Sequence, residues 1–354
     1  MKNVHKNGAS PGDAPAQRVL ACALATGLAA CAGTTPLPPP TPVPQAEVVT
    51  PEGTLRVEDG VIVSATGKPF VMRGINLQYG DDPGTRLPMI DEIADSGANT
   101  VRLQLRRDTS ARQLAAALDR IVARNMVAVV MYWEDDVTCK AGSSGLRTAM
   151  KRWTDTWREV LSDPRYRAHL VLNIANEWGE ADAGDSFGNT YRAAVVQLRA
   201  AGYEFPLMID AAHCGQDYSV FANGGAARIA AVDRYRNLIF STHAYWRYQT
   251  HKAIDDAVAA VRDQRLAFVW GEFGQAAFQA DIGQATDHSY LIGRAEATGV
   301  GYIAWSWYGN GADARALDMR DSGPKAALTR YGRELVEGGA GFKGIRATST
   351  PAGG

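Results

Sequence analysis

The chain lacks the charge imbalance that accompanies nucleic-acid binding. Its 354 residues include 37 Lys and Arg against 38 Asp and Glu, so the formal net charge is -1. A nucleic-acid-binding domain concentrates basic residues on one face or along one helix, and the sequence has no basic patch of that density. We therefore expect no nucleic-acid partner and a surface that suits a neutral ligand.

Ligand spacings typical of metal and phosphate sites are also missing. The six His residues are scattered, and no His pair lies at helical spacing near a carboxylate. No glycine-rich loop has the pattern that cradles phosphate groups. The acidic run Glu134–Asp136 offers oxygen ligands for a hard cation, but a solvated acidic loop is the simpler interpretation. We expect no metal ion and no cofactor.

One apolar run stands near the N-terminus. Val19–Ala30 follows Arg18 and is too short to span a bilayer as a helix, but it fits the apolar region of a signal peptide. The run ends in Leu28-Ala29-Ala30-Cys31, which resembles the lipobox of bacterial lipoproteins, where the Cys is lipidated. We expect an exported protein that is either anchored to the outer membrane through Cys31 or, if an ordinary signal peptide is cut, secreted.

Composition divides the chain into four segments. Residues 1–31 are predicted to be the signal peptide, and residues 32–50 are a Pro- and Thr-rich linker that favours extended backbone over a packed core. Residues 51–340 are expected to form one folded domain, and the Gly-, Ser- and Thr-rich residues 341–354 a flexible tail. A monomer is expected.

Short apolar runs alternate with helical patterns along this domain. Near-continuous apolar runs are typical of parallel strands that are buried on both faces. Eight of them, separated by helices, predict an α/β fold of the (β/α)₈ TIM-barrel type, preceded by a small hairpin at 55–63. An open doubly wound sheet is the main alternative, but it usually has a glycine-rich turn after its first strand. The predicted strands are Val71–Leu77, Thr100–Leu105, Val127–Tyr132, Leu170–Ala175, Leu207–Asp210, Leu238–Thr242, Ala267–Gly271 and Gly301–Trp305.

Two carboxylates follow strands of this predicted barrel. In enzymes with this fold, the catalytic side chains lie at the C-terminal ends of the strands. Glu177 follows the fourth strand and Glu272 the seventh. Glycoside hydrolysis needs one protonated and one ionised carboxyl group facing each other. Arg102 and a Tyr hydroxyl would favour the ionised form of Glu272, whereas nearby negative charge would raise the pKa of Glu177. A lone Glu at such a position commonly caps a helix, but two in polar clusters favour catalysis.

Four motifs carry a resemblance to a known family. Asn176-Glu177, His243-Ala-Tyr245, Gly271-Glu272-Phe273-Gly274 and Trp305-Ser-Trp307 resemble glycoside hydrolase family 5 of clan A. Stretches such as Met72-Arg-Gly-Ile-Asn76 and Gly215-Gln-Asp217 resemble its bacterial β-mannanase subfamily, and the likeness runs from about Phe70 to Met319. It implies a (β/α)₈ barrel that retains anomeric configuration.

The resemblance also implies residue roles. Glu177 looks like the acid/base and Glu272 like the nucleophile. Asn176 would hydrogen-bond the sugar 2-OH, Arg102 and Tyr245 would orient and ionise Glu272, and His243 would line the floor of the site. Trp305 would be the platform under the cleaved sugar. Four more Trp residues are candidates for sugar contacts, although core packing explains each equally well: Trp133, Trp178, Trp246 and Trp307.

The sequence departs from the subfamily at the substrate face. Trp133 stands where the subfamily has His, Trp178 where it commonly has Pro, and Cys214 where it has an aromatic residue. Cys139 lies in another departing loop. Export implies an oxidising compartment, so Cys139 and Cys214 either form a bridge across the rim or remain two free thiols.

These features predict a retaining glycoside hydrolase that cleaves β-1,4-linked polysaccharide, with endo-β-mannanase activity as the first hypothesis. A β-1,4-glucanase of the same family is the alternative within this class. A non-catalytic carbohydrate-binding barrel at the cell surface is a third hypothesis, but it predicts the loss of a carboxylate, and both Glu177 and Glu272 are present.

Overall fold

A computed structural model describes residues 49–140, 142–180, 184–222, 224–274, 286–312, 314–322, 327–339 and 341–344. The predicted signal peptide with Cys31, nearly all of the predicted linker and residues 345–354 of the predicted tail lie outside these ranges. Within them, no helix combines the length and apolar character needed to cross a membrane.

Eight parallel strands close into a barrel, which confirms the predicted (β/α)₈ fold. They are β3 (Arg73–Leu77), β4 (Thr100–Leu105), β5 (Val127–Tyr132), β6 (Leu170–Asn173), β7 (Leu207–Asp210), β8 (Leu238–Ala244), β9 (Ala267–Phe273) and β10 (Gly301–Ala304). Each strand pairs with its neighbours in chain order, and β10 pairs with β3 to close the ring. Every residue of β4 through β10 is buried, as the continuous apolar runs predict.

Helices connect the strands on the outside of the barrel. They are α1 (Pro83–Arg86), α2 (Met89–Asp95), α3 (Ala111–Ala123), α4 (Ser143–Lys151), α5 (Arg158–Leu161), α6 (Gly184–Ala200), α7 (Ala212–Gly215), α8 (Gly225–Ala230), α9 (His251–Arg262), α10 (His288–Thr298) and α11 (Arg330–Glu337). Helix α3 shows how the local sequence sets a boundary. Ser110 accepts a hydrogen bond from the Gln113 backbone while the Gln113 side chain accepts one from Ser110, a capping box that begins the helix. Leu114, Leu118 and Ile121 then recur on its buried face.

Two apolar clusters hold the barrel together. The larger lies between the strands and the surrounding helices. The smaller fills the N-terminal half of the barrel interior with inward side chains such as Val129, Met208 and Val269. The hairpin β1 (Arg56–Glu58) and β2 (Val61–Val63) closes this end, because Leu55 and Ile62 join the interior cluster. The buried polar side chains Arg102, Glu177 and Glu272 lie at the opposite end of the barrel, at the C-terminal ends of the strands.

Candidate active site

Glu272 lies near the end of β9 with both carboxylate oxygens engaged. Arg102 on β4 donates from Nη1 to Oε1 at 2.6 Å, and the Tyr245 hydroxyl after β8 donates to Oε2 at 3.0 Å. Arg102 is fully buried, and Glu272 is 4% exposed. These two donors fix the orientation of the carboxylate, and the arginine supplies the compensating positive charge.

Arg102 is the centre of a buried polar network across the barrel mouth. Nη1 also donates to Oδ1 of Asn76 at 2.9 Å, and Nη2 reaches Oδ1 of Asn173 at 2.7 Å. Nη2 further donates to Oδ1 of Asn176 at 2.8 Å and to Oδ2 of Asp210 at 3.1 Å. A guanidinium with its donors used in this way is held rigidly, so the residues that depend on it keep fixed positions.

Glu177 follows β6, and its environment differs from that of Glu272. It is 9% exposed, and its Oε1 lies 2.7 Å from Nδ1 of His243. Burial raises the pKa of Glu177 to about 7, and the negative charges of Glu272 and Asp210 add to the rise, although His243 opposes it. The carboxyl group is therefore able to hold a proton near neutral pH, as an acid catalyst must.

His243 sits between three carboxylates at the floor of the site. Nδ1 faces Glu177 at 2.7 Å and Glu272 at 3.5 Å, and Nε2 lies 3.5 Å from Oδ2 of Asp210. Burial disfavours a charged imidazole here, but the carboxylates of Glu272 and Asp210 outweigh it and raise the pKa of His243 to about 10. The imidazolium donates from Nδ1 to Oε1 of Glu177, which leaves Oε2 as the oxygen that carries the acid proton.

The two candidate catalytic carboxylates are close together. One carboxylate oxygen of Glu177, one ring nitrogen of His243 and one carboxylate oxygen of Glu272 all lie within 4.8 Å of one another. A separation of about 5 Å suits direct attack by one carboxylate on the sugar, whereas an inverting enzyme needs a wider gap to admit water. The same three residues are a possible cation site among the described residues, but the protonated His243 and the nearby Arg102 make the site unfavourable for a cation.

Asn176 and Trp305 are also placed at this mouth. The Asn176 carbonyl oxygen accepts from Arg102, so its amide nitrogen is oriented as a donor, toward Thr138 Oγ1 at 3.2 Å. Trp305 is half-buried, and its Nε1 donates to Oδ1 of Asn310 at 2.9 Å. Asn310 is itself held by Asp318, at 2.8 Å from Nδ2 to Oδ1. The indole ring is therefore fixed from behind while part of it stays open.

Two of the four additional Trp candidates lie in the core, which corrects the expectation that they contact sugar. Trp178 is 3% exposed, stacks on Phe187 and donates from Nε1 to the carbonyl of Gly142. Trp307 is 4% exposed and donates to Glu92. Each ring follows a strand, but its faces are packed against protein, so neither offers the open face that stacking needs.

The other two Trp candidates remain accessible at the rim. Trp133 is half-buried, and the Arg106 guanidinium lies 4.2 Å from its ring centroid, so a cation covers one face. Trp246 is 39% exposed, and its ring stands edge-on to His213 with centroids 6.2 Å apart. Both rings are therefore partly accessible to a ligand.

Cys139 and Cys214 form a disulfide in the structure, across 75 residues of sequence. The bridge joins the loop after β5 to α7, the short turn after β7. Both Cys have positive φ, as do His213 and Glu177. These loops adopt a left-handed backbone conformation that is uncommon for residues other than Gly. Such conformations are concentrated at active sites, where they orient functional side chains.

Three buried residues of the site were not among the sequence candidates. Asn76 is the last residue but one of β3 and a hydrogen-bond partner of Arg102, Asn173 ends β6, and Asp210 ends β7. The available signal was the same for each: a polar residue at or next to the end of an apolar strand. Asp210 is the most consequential, because its carboxylate contacts Arg102, faces His243 and accepts from the backbone of Glu177.

Known proteins resemble this chain in both sequence and fold. The family model "Cellulase (glycosyl hydrolase family 5)" matches residues 63–311. A mannan endo-1,4-beta-mannosidase of Streptomyces lividans is 33% identical over 318 residues, which cover 85% of this chain and 78% of that protein. The mannanase catalytic domain of Streptomyces sp. SirexAA-E superposes with a TM-score of 0.74 at 31% identity, covering 90% of this chain and 98% of that one. A β-mannanase of Streptomyces thermolilacinus solved with mannohexaose gives 0.74 at 30% identity, over 86% and 100% of the two chains.

Proposed function

The chain belongs to glycosyl hydrolase family 5, and from this we propose that it is a retaining endo-β-1,4-mannanase that uses Glu177 as acid/base and Glu272 as nucleophile. One observation carries the assignment of roles. Two carboxylates face each other within 4.8 Å, one held by Arg102 and Tyr245 and the other buried with its pKa raised. Their different surroundings supply the ionised and the protonated partner that the reaction needs.

The first step forms a glycosyl-enzyme. A carboxylate oxygen of Glu272 attacks the anomeric carbon, and the bond from that carbon to the glycosidic oxygen breaks. The departing oxygen keeps the bonding electron pair and takes the proton from Oε2 of Glu177. In this proposal the Asn176 amide, which Arg102 orients, donates to the 2-OH of the sugar, and Trp305, which Asn310 holds, supplies an apolar surface for the ring.

The second step hydrolyses this intermediate. Glu177, now ionised, removes a proton from a water molecule that attacks the anomeric carbon from the side the leaving group vacated. The carbon–oxygen bond to Glu272 breaks, and its carboxylate is restored. Two inversions give net retention, and the same residue acts first as an acid and then as a base.

Mannan is the proposed substrate because relatives of about one-third identity, found across most of this chain, are named mannan endo-1,4-beta-mannosidases. Trp133, Trp246 and the Cys139–Cys214 bridge follow barrel strands at the end that carries Glu177 and Glu272, so we expect them to influence the preference among β-1,4-linked polymers.

The test is a hydrolysis screen with galactomannan, glucomannan, carboxymethyl-cellulose, xyloglucan and mixed-linkage glucan, followed by sizing of the products. We expect the mannans to yield short oligosaccharides, with anomeric protons in the NMR spectrum showing initial retention. Glu272→Ala should lower turnover by roughly four orders of magnitude while the circular dichroism spectrum stays unchanged. Cleavage of the glucans alone would favour the β-1,4-glucanase alternative, and binding without cleavage would favour a non-catalytic barrel.

Export and lipid anchoring form a separate part of the proposal. The apolar run that ends in Leu28-Ala29-Ala30-Cys31 supports both, and the Cys139–Cys214 bridge supports maturation in an oxidising compartment. The linker after Cys31 would hold the barrel away from the membrane surface. In a Gram-negative host, wild type should fractionate with the membrane and Cys31→Ser should not. Equal release of both proteins would indicate an ordinary signal peptide.

A further inference from the structure

Three loops interlock around Glu177. The loop after β5 contributes Cys139, the loop after β6 contributes Glu177 and Gly179, and the turn after β7 contributes His213. Cys139 donates its backbone N–H to the Glu177 carbonyl at 3.1 Å, and His213 donates to the carbonyl of Gly179 at 2.9 Å. The Cys139–Cys214 bridge joins the first loop to the third, so the loop that carries Glu177 is tied on both sides.

The bridge also touches the functional end of Glu177. The Cys139 Sγ atom lies 3.5 Å from Oε2, the oxygen that is not engaged by His243. On the same side, Gly215 has a φ of 72°, and a Cβ atom there would lie 2.6 Å from Nδ1 of His243 and 3.2 Å from Cγ of Glu177. The turn that holds Cys214 is therefore packed against the acid/base and its histidine without room for a side chain at position 215.

We propose that the Cys139–Cys214 disulfide is a positioning element for the acid/base, which holds Glu177 in place and shields its proton-bearing oxygen from water. This inference rests on the proposed function, because it concerns the step in which Glu177 protonates the leaving oxygen. It goes beyond a structural crosslink, since it ties the oxidation state of two cysteines to the protonation of a third residue.

The chemistry of the bridge explains the effect. Divalent sulfur in a disulfide has no hydrogen to donate and is a weak acceptor, so it cannot stabilise the ionised carboxylate as water does. The groups that face Glu177 from other strands are His243, Asp210, Glu272 and Tyr245. His243 favours ionisation, whereas burial and the other carboxylates oppose it. The Cys139 sulfur lies 3.5 Å from Oε2 and occupies space beside that oxygen that a water molecule could otherwise fill.

Opening the bridge reverses this balance. A dithiol reductant is oxidised to its own disulfide while Cys139 and Cys214 each gain a hydrogen. The loops can then separate, and water or a thiol S–H can donate to Oε2. Both donors stabilise the carboxylate, so the pKa of Glu177 falls, and the protonated fraction at neutral and alkaline pH falls with it.

The first arm of the test measures pH–rate profiles for the C139A/C214A double variant, for the dithiol-reduced wild type and for the oxidised wild type. With mannohexaose, we expect the alkaline limb of kcat/KM to move to lower pH by about one unit, which is about a tenfold loss at pH 8. At pH 5 the three forms should differ by no more than about twofold, because Glu177 stays largely protonated in all of them.

Glu296→Gln is the matched control for destabilisation. It removes an ion pair with Arg73 (2.6 Å from Nε to Oε1), on a part of the barrel outside the acid/base network. The control should lower the melting temperature and leave the alkaline limb in place. If the double variant behaves in the same way, with a lower melting temperature and an unmoved limb, the bridge is only a crosslink and the inference is wrong.

A second arm reads Glu177 without turnover. Subtracting the infrared spectrum of Glu177→Gln from that of each form isolates the carboxyl band of Glu177, which can be titrated directly. We expect a lower midpoint when the bridge is open, and an unchanged midpoint overturns the inference. Because this arm needs no substrate, an oxidised protein that hydrolyses no glycan would refute the proposed function separately.

Discussion

The Oδ2 atom of Asp210 accepts a hydrogen bond from the backbone N–H of Glu177 at 3.2 Å. The same oxygen accepts from Arg102 at 3.1 Å and lies 3.5 Å from Nε2 of His243. One buried carboxylate thus touches the arginine that holds the nucleophile, the backbone of the acid/base and the histidine between them. The positive charges of His243 and Arg102 hold the pKa of Asp210 well below its usual range, although burial opposes this.

Asp210→Asn should lower the pKa of His243 from about 10, because the imidazolium loses one of the two carboxylates that stabilise it most. The asparagine is nearly isosteric and still offers an oxygen to the backbone of Glu177. We expect kcat to fall by about tenfold to a hundredfold with a smaller change in KM, since positioning rather than binding is affected. Nitrogen-15 NMR of the imidazole measures the titration. An unchanged His243 titration would contradict the electrostatic role of Asp210.

Glu177→Gln should stabilise the protein at pH 8 relative to wild type. The unfolded carboxyl group titrates near 4.3 and the folded one at about 7, so the folded state binds the proton more tightly. This group therefore contributes stability below its unfolded pKa, and that contribution is lost as the pH rises to about 7. A neutral amide avoids the loss and can still accept from His243.

The expected gain for Glu177→Gln is about 3–4 kcal/mol at pH 8 and close to zero at pH 4, measured as the free energy of unfolding in urea. Glu134→Gln, at a rim carboxylate with no contact to His243 among the described residues, is the matched control and should show no such pH dependence. The same gain in unfolding free energy at both pH values would mean that the fold does not destabilise the ionised form of Glu177.

Much of this arrangement was predictable because a parallel barrel collects all its C-terminal strand ends at one mouth. Glu177, Glu272 and His243 each follow an apolar run, so their convergence follows from the topology once the eight strands are recognised. The predicted strands differ from the observed ones by two residues or fewer at each end. Strand position along the chain was therefore enough to assemble the main chemical groups.

The direction of a side chain just beyond a strand was not predictable in the same way. Trp178 and Trp307 follow strands as Trp305 does, but each packs against the layer of helices. The loop backbone sets the direction of these side chains, because the alternation of inward and outward side chains ends with the strand. Asp210 was overlooked for a related reason. It is the last residue of β7, and only the barrel geometry shows that it reaches across to Arg102 and Glu177.

Trp178→Ala should destabilise the fold by about 3–5 kcal/mol, because the ring is 3% exposed and leaves a cavity beside Phe187 and Tyr191. Trp178→Phe should cost less, since it retains an aromatic ring and loses the hydrogen bond to Gly142. Urea unfolding measures both. For the folded fraction we expect KM for mannohexaose within about twofold of wild type. A large rise in KM without destabilisation would instead place Trp178 in the substrate site.

Trp246→Ala should weaken binding of the departing part of the substrate. The ring is 39% exposed and stands beside His213, whose neighbour Cys214 is bridged to Cys139 against the acid/base. From this we expect it to lie on the leaving-group side of the cleft, where an aromatic face can stack on a sugar. We expect KM for mannohexaose to rise about threefold to tenfold, with a shifted product pattern and unchanged hydrolysis of a short aryl mannoside. Val196→Ala, which shortens another exposed apolar side chain (53%) on α6, is the matched control. Equal effects of the two substitutions, or an unshifted product pattern, would exclude Trp246 from the substrate path.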